Sequence, residues 1–111
     1  MTVDIPSYSR GREQTGIRPA IVVGLPTFLG KPRYPILVIV PMTTTTGPWR
    51  SQYPDFYPPL QVGDGGLTKP CVALLDQVRS ISISRIGRYI GSLNPQQFAP
   101  ISTGLKQIFG F

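Results

Sequence analysis

The sequence predicts a small, mainly β domain: a short-stranded, barrel-like sheet closed by one C-terminal helix. Three observations carry this prediction. Charged residues make up 14% of the chain, against roughly 25% in an ordinary globular protein, which leaves too few to solvate long helices. Thirteen prolines and twelve glycines are spread along the chain and cut it into short segments, as turn punctuation does. The helical spacing of apolar residues occurs only near the C-terminus, whereas the other apolar runs are short and continuous. At 111 residues the chain suits one domain, residues 1–111, with a modest core.

Each element follows in order. Residues 1–18 hold few apolar positions, and Ser9 to Gly16 is polar and glycine-punctuated, an exposed loop. Pro19 to Leu25 reads as a strand buried on both faces, because its apolar run is uninterrupted. Pro26 to Tyr34 is a loop. Pro35 to Met42 is a second buried strand with proline near each end, and four threonines follow it, Thr43 to Thr46. Residues 47–66 form a long, proline- and aromatic-rich connection with room for one short strand. Cys71 to Leu75 is a third strand, and Asp76 to Ile81 extends it with loose alternation. Ser84 to Ile86 makes a helical or 3₁₀ turn, and Arg88 to Leu93 a last short strand. Asn94 and Pro95 then start a helix as cap and first residue. Phe98, Ile101, Leu105, Ile108 and Phe109 fall at helical spacing, Pro100 bends the helix, and Gly110 stops it.

The net charge is +6, from eleven Lys and Arg against five Asp and Glu, and eight of the eleven are Arg. Arg presents a planar fork of donors suited to phosphate, so the charge points to an anionic partner, with nucleic acid first among the candidates. There is no histidine and one cysteine, Cys71, within an apolar run. That composition argues against a zinc site, a Ser-His-Asp or Cys-His arrangement, and the paired-histidine chemistry of many nucleases. No metal and no cofactor are expected. The N-terminus is polar and the longest apolar runs are too short to span a bilayer, so the expectation is a cytoplasmic protein with no membrane partner.

Four segments, in order along nearly the whole chain, resemble one family. Gly11-Arg12-Glu13-Gln14-Thr15-Gly16-Ile17-Arg18-Pro19-Ala20-Ile21-Val22-Val23 is similar to the G-x-E-Q-x-G-x-R-P-x-x-V-V signature of the MazF/PemK/Kid toxins. Val40-Pro41-Met42-Thr43-Thr44 resembles their V-P-x-T-[ST]. Ala73 to Ile81, with Asp76-Gln77-Val78-Arg79 at its centre, resembles their A-x-x-D-Q-[VPI]-[RK] strand. Arg85-Ile86, then Gly91-Ser92-Leu93 and the final helix, complete the order.

The resemblance implies an SH3-like barrel with a C-terminal helix, a homodimer, and metal-independent cleavage of single-stranded RNA at short sequences. It implies products with a 2′,3′-cyclic phosphate and a 5′-hydroxyl, and a cognate antitoxin that occupies the RNA groove. By the same resemblance Arg18 and Thr43 are the catalytic pair. Glu13, in the same loop as Arg12 and Gln14, either orients Arg18 or accepts a proton. Arg12, Gln14, Thr44, Asp76, Gln77 and Arg79 are the expected RNA-binding residues, although Asp76, Gln77 and Arg79 also read as a polar strand face that caps the barrel. The chemistry agrees: attack by the RNA's own 2′-hydroxyl needs a fixed cation beside the developing phosphorane, and without a metal a guanidinium is the strongest such group. Trp49, Tyr53, Phe56 and Tyr57 read as loop packing ahead of base stacking, and Arg10, Lys31, Arg33 and Arg50 as phosphate-steering charges.

Three departures stand out. Met1 to Pro6 matches only the tail of the family's first strand, so either Val3 to Ile5 suffices or the sheet is short of one strand and less stable. Thr45 stands where relatives often carry Gln, and Trp49 to Pro59 is longer and richer in proline. Two other functions stay open on the sequence: a CcdB-like toxin acting on DNA gyrase through its C-terminal helix, and a catalytically inactive relative that binds RNA or antitoxin.

Overall fold

The structure is a computed structural model; it describes residues 2–5, 16–24, 36–44, 47–87 and 89–110. Among them the strands are β1 (Thr2–Ile5), β2 (Gly16–Gly24), β3 (Ile36–Thr43), β4 (Pro59–Leu60), β5 (Cys71–Ala73) and β6 (Arg79–Ser82). The helices are α1 (Trp49–Gln52) and α2 (Pro95–Phe109). All the strand pairings are antiparallel, in the order β1-β2-β3-β5-β4, with β6 also on β3. The sheet curls into a half-barrel, and its edge strand β1 comes round to touch the 3₁₀ turn Ile83–Arg85 that follows β6. The expected mainly β, barrel-like fold with a C-terminal helix is what the chain adopts.

Two strands change neighbours along their length, and this makes the curl. Gly16 to Pro19 of β2 pair with β1, and Ala20 onward pair with β3. Pro19, which has no N–H to give a ladder, stands at that junction. Strand β2 therefore begins three residues earlier than its apolar run, because β1 supplies a partner for Gly16, Ile17 and Arg18. The tail Thr2–Ile5 is thus sufficient to form a strand. On the other edge of β3, Ile36 to Ile39 pair with β6, and Met42 and Thr43 pair with β5.

The expected continuous strand from Cys71 to Ile81 is broken. A 3₁₀ turn, Leu75–Gln77, separates β5 from β6. Continuing the β5 register would set Asp76 opposite Ile39, but Arg79 stands there instead. The turn has pushed Asp76 and Gln77 out of the ladder. Leu75 drives it, since its side chain is fully buried in the core and anchors the turn from inside.

The expected strand at Arg88 to Leu93 is also absent among the described residues of that segment. Its backbone packs instead against the 3₁₀ turn Asp64–Gly66. A Cβ at Gly66, where φ is +82°, would lie 1.7 Å from the Ile90 carbonyl oxygen. Only glycine permits that approach, and it takes the place of ladder pairing.

The core has two parts, one on each face of β2 and β3. Ile21, Val40 and Met42 join Leu60, Cys71, Ala73, Leu75 and Ile101 of α2 on one face. Ala20, Ile39 and Ile81 form the other. This is the two-sided burial that uninterrupted apolar strands require. Helix α2 starts with a reciprocal cap: the Asn94 side chain accepts from the Gln97 N–H at 2.8 Å, and the Gln97 side chain accepts from the Asn94 N–H at 2.9 Å. Gly110 ends it in the left-handed conformation, φ 78°. Pro100 lies on the exposed side, next to exposed Gln96, and the helix continues through it. No helix among the described residues is long and apolar enough to cross a membrane.

Candidate functional site

Strands β2 and β3 bring the two residues of the expected catalytic pair to one end of the sheet. The hydrogen-bonded register runs Val22↔Ile39, Ile21↔Val40, Ala20↔Pro41. Position 18 lies two residues before Ala20 and Thr43 two residues after Pro41, so both stand at the same end of this pairing. Because successive residues alternate across a pleated sheet, positions 18, 20 and 22 share a face with 39, 41 and 43. Arg79 pairs with Ile39 and so belongs to that same face, as does Ile81. Thr43 is buried, 4% exposed, at the end of β3, opposite Val72 of β5. Thr44, the next residue, is exposed. No buried side-chain polar atom among the described residues lacks a hydrogen-bond partner.

Asp76 and Gln77 stand apart from that ladder, in the 3₁₀ turn. Gln77 closes the turn through its N–H to the Leu74 carbonyl at 3.0 Å and is half-buried. Asp76 is exposed, and its carboxylate accepts a 2.6 Å hydrogen bond from the Tyr57 hydroxyl. That bond is the first cause of the Tyr57 phenol being pushed up to about 12, with loss of solvent and the Asp76 charge adding to it. A proton shared with a neighbouring anion is harder to remove.

Tyr57 is held in turn. Its neighbours bond across to β5 and the turn, Ala73 N–H to Pro58 carbonyl at 3.0 Å and Leu75 N–H to Phe56 carbonyl at 3.0 Å. Its ring meets Trp49 edge-to-face, centroids 4.8 Å apart. Trp49 packs closely on Gly47, where a Cβ would lie 2.5 Å from the indole nitrogen. A line of contacts thus joins Gly47 to the Asp76 turn through Trp49 and Tyr57. Trp49 and Tyr57 do pack within the loop as expected, while Tyr53 and Phe56 are 56% and 43% exposed. The Tyr57–Asp76 pair had no signal in the sequence, since its members lie 19 residues apart.

Glu13, Arg12 and Gln14 lie outside the described residues, as do Arg10, Lys31 and Arg33; the structure places Arg18 by its backbone. A separate cleft of about 290 Å³ lies between β2, the turn at Asp64–Gly66 and the Tyr89–Leu93 segment. Among the described residues its lining is mostly apolar and includes no Lys or Arg. Asp64, the carboxylate among its described lining residues, accepts from the Gln61 N–H at 2.9 Å and the Gln97 side-chain amide at 3.0 Å.

The family model described as PemK-like, MazF-like toxin of type II toxin-antitoxin system matches residues 1–109. The fold is similar to that of the Mycobacterium tuberculosis toxin MazF-mt6, with a TM-score of 0.68 and 20% identity over 100% of this chain and 98% of that one. It is similar also to MazF from Deinococcus radiodurans, with a TM-score of 0.73 and 22% identity over 99% of this chain and 92% of that one. No curated protein matches the chain.

Proposed function

Since this chain belongs to the family of PemK-like, MazF-like toxins of type II toxin–antitoxin systems, we propose that it is a metal-independent endoribonuclease that cuts single-stranded RNA and is neutralised by a cognate antitoxin. The observation that supports the reading is the antiparallel pairing of β2 and β3, in which the pair Ala20↔Pro41 lies two residues from Arg18 on one strand and two from Thr43 on the other, with Arg79 opposite Ile39. A cation and a hydroxyl at one strand end, in a chain of net charge +6, make a place for a scissile phosphate.

The reaction is an internal transfer. The 2′-hydroxyl oxygen attacks the adjacent phosphorus, the bond to the 5′-oxygen breaks, and a 2′,3′-cyclic phosphate and a 5′-hydroxyl result. One proton leaves the attacking oxygen and one reaches the departing oxygen, so atoms balance without an added reagent. Arg18 stabilises the charge gathering on the phosphoryl oxygens, work that a guanidinium fixed in a water-poor site does far better than one in solvent. Thr43 donates to a phosphoryl oxygen at the strand end, with exposed Thr44 as the first threonine that RNA meets. Glu13 orients Arg18 or takes the proton of the 2′-hydroxyl. Arg12, Gln14, Gln77 and Arg79 hold flanking nucleotides, and the protein acts as a homodimer in the cytoplasm, where its RNA substrate is.

The test is cleavage of a long single-stranded RNA in excess EDTA, beside Arg18→Ala, with the ends of the products mapped. Discrete cuts with cyclic-phosphate ends are expected, and the variant loses at least about 100-fold in rate, the scale for removing one transition-state donor. Uncut RNA with a folded, dimeric protein refutes the reading.

A further inference from the structure

We propose that Tyr53 is a stacking platform for an unpaired base of the bound RNA strand, a contact that adds affinity without choosing the base. The inference rests on the RNA-binding reading above and goes further in naming a residue and the chemical group it holds.

Residues 49–57 carry four aromatic rings, and the structure gives them different work. Trp49 and Tyr57 meet edge-to-face, and each has a second contact, Trp49 on Gly47 and Tyr57 through its hydroxyl on Asp76. Phe56 lines a groove with Gly104, Gln107 and Ile108 of α2. Tyr53 remains, with 56% of its surface open to solvent. A ring left in water adds nothing to the core, and covering its face later is favourable.

The ring is exposed but its backbone is fixed. The Tyr53 N–H donates to the Trp49 carbonyl at 3.2 Å, and the Tyr53 carbonyl accepts from the Phe56 N–H at 3.1 Å. The Phe56 carbonyl accepts in turn from the Leu75 N–H at 3.0 Å, which ties this segment to a fully buried residue of the core. With the backbone held, only the side-chain torsions of the tyrosine remain to be ordered. A platform of that kind loses little entropy when a base lands on it.

Location and charge favour a nucleic acid as the occupant. Tyr53 ends α1, the element that follows the end of β3, where Thr43 and Thr44 stand. Its phenol is close enough to that of Tyr57 for the two to repel as they ionise, one of the lesser causes of the raised Tyr57 phenol, and this places the ring near the turn at Asp76. Arg50 precedes Tyr53 by three residues, one turn of helix, so α1 pairs a cation with a ring at the spacing of neighbours. Single-stranded nucleic acid is held by that combination: the cation meets the backbone and the ring meets the face of a base. Every base has such a face, so the contact tolerates any sequence. An apolar protein segment would gain from the ring alone and leave the chain's net charge of +6 unused.

Binding and cleavage are measured together for the wild-type protein, Tyr53→Ala, Tyr53→Phe and Tyr53→Trp. Affinity is read by fluorescence anisotropy on labelled oligonucleotides of mixed sequence with non-cleavable 2′-deoxy linkages, intact or with one base at a time removed. Cut sites in a long RNA are mapped for the same proteins. Tyr53→Ala is expected to bind the intact oligomer about five- to one-hundred-fold more weakly, the range for one base on one ring, whereas Tyr53→Phe and Tyr53→Trp keep the wild-type affinity. Removing the stacked base should weaken the wild-type protein by the same factor and leave Tyr53→Ala unaffected, the coupling of two groups in contact. The cut sites should be the same in every variant. If the wild-type protein cuts RNA and Tyr53→Ala binds as tightly, or Tyr53→Phe is as weak as Tyr53→Ala, the inference falls and the nuclease reading stands. A smaller sedimenting species for Tyr53→Ala at unchanged RNA affinity gives the ring to an interface between copies and also overturns the inference. The expected loss in Tyr53→Ala without any cleavage by the wild-type protein upholds the inference and refutes the nuclease reading. A wild-type protein that neither binds nor cuts RNA refutes both.

Discussion

Replacing Gly104 by alanine sets two effects of opposite sign against each other, and the structure decides which wins. Gly104 lies inside α2, where alanine is favoured over glycine by about 1 kcal/mol on backbone grounds. It is also buried, and an added Cβ would stand 2.3 Å from Leu75 Cδ1 and 2.9 Å from the Asp55 carbonyl oxygen. Leu75 is fully buried, so displacing its methyl group disturbs core packing. The carbonyl is backbone in the segment that bonds across to the Leu75 turn. Overpacking of this kind costs about 1–3 kcal/mol, and two obstacles, one of them backbone, place it in the upper part of that range. The net expectation is a loss of about 1–2 kcal/mol, or roughly 5–10 °C in melting temperature for a domain of this size. Urea and thermal unfolding followed by circular dichroism measure it. Thr103→Ala, an exposed neighbour on the same helix, serves as control and should be neutral or slightly stabilising. If Gly104→Ala is as stable as the parent or more so, the close approach of α2 to the Leu75 turn is not as described.

Two further outcomes follow from the caps and the phenol. Asn94→Ala removes the side-chain acceptor of the reciprocal cap on α2, while the backbone N–H of residue 94 keeps its bond to Gln97, and should lower stability by about 1 kcal/mol, seen as a lower urea midpoint at unchanged slope. The Tyr57 phenol holds its proton up to about 12 in the folded chain, while in the unfolded chain tyrosine ionises near 10. The native state then binds the proton more tightly, so the contribution of the Tyr57–Asp76 bond is complete below pH 10 and is lost as pH rises through about 12. The stability difference between the parent and Tyr57→Phe should shrink over that window; a difference independent of pH across it contradicts the bond.

Helix α2 was legible almost to the residue, because its signals are local: an Asn cap, proline at the first position, helical spacing of Phe98, Ile101 and Leu105, and a glycine stop. The two apolar strands were legible as buried on both faces, since an uninterrupted run leaves no polar side. The ordered family motifs named the site residues but not their arrangement. Asp76 to Ile81 misled, because alternation over a few residues reads the same in a strand that continues and in one that restarts after a turn.

The amino-acid sequence by itself determined the fold class, the helix and its ends, the basic charge and the family. These depend on side chains near one another in the chain or on an ordered set of motifs. Tertiary structure alone decided the register of β2 on β3, the burial of Thr43, the expulsion of Asp76 from the ladder and its capture by Tyr57. Each of those depends on which strand lies opposite which. That choice is made by packing partners far apart in sequence, Leu75 under α2 and the Ile90 backbone against Gly66, and no local pattern encodes it.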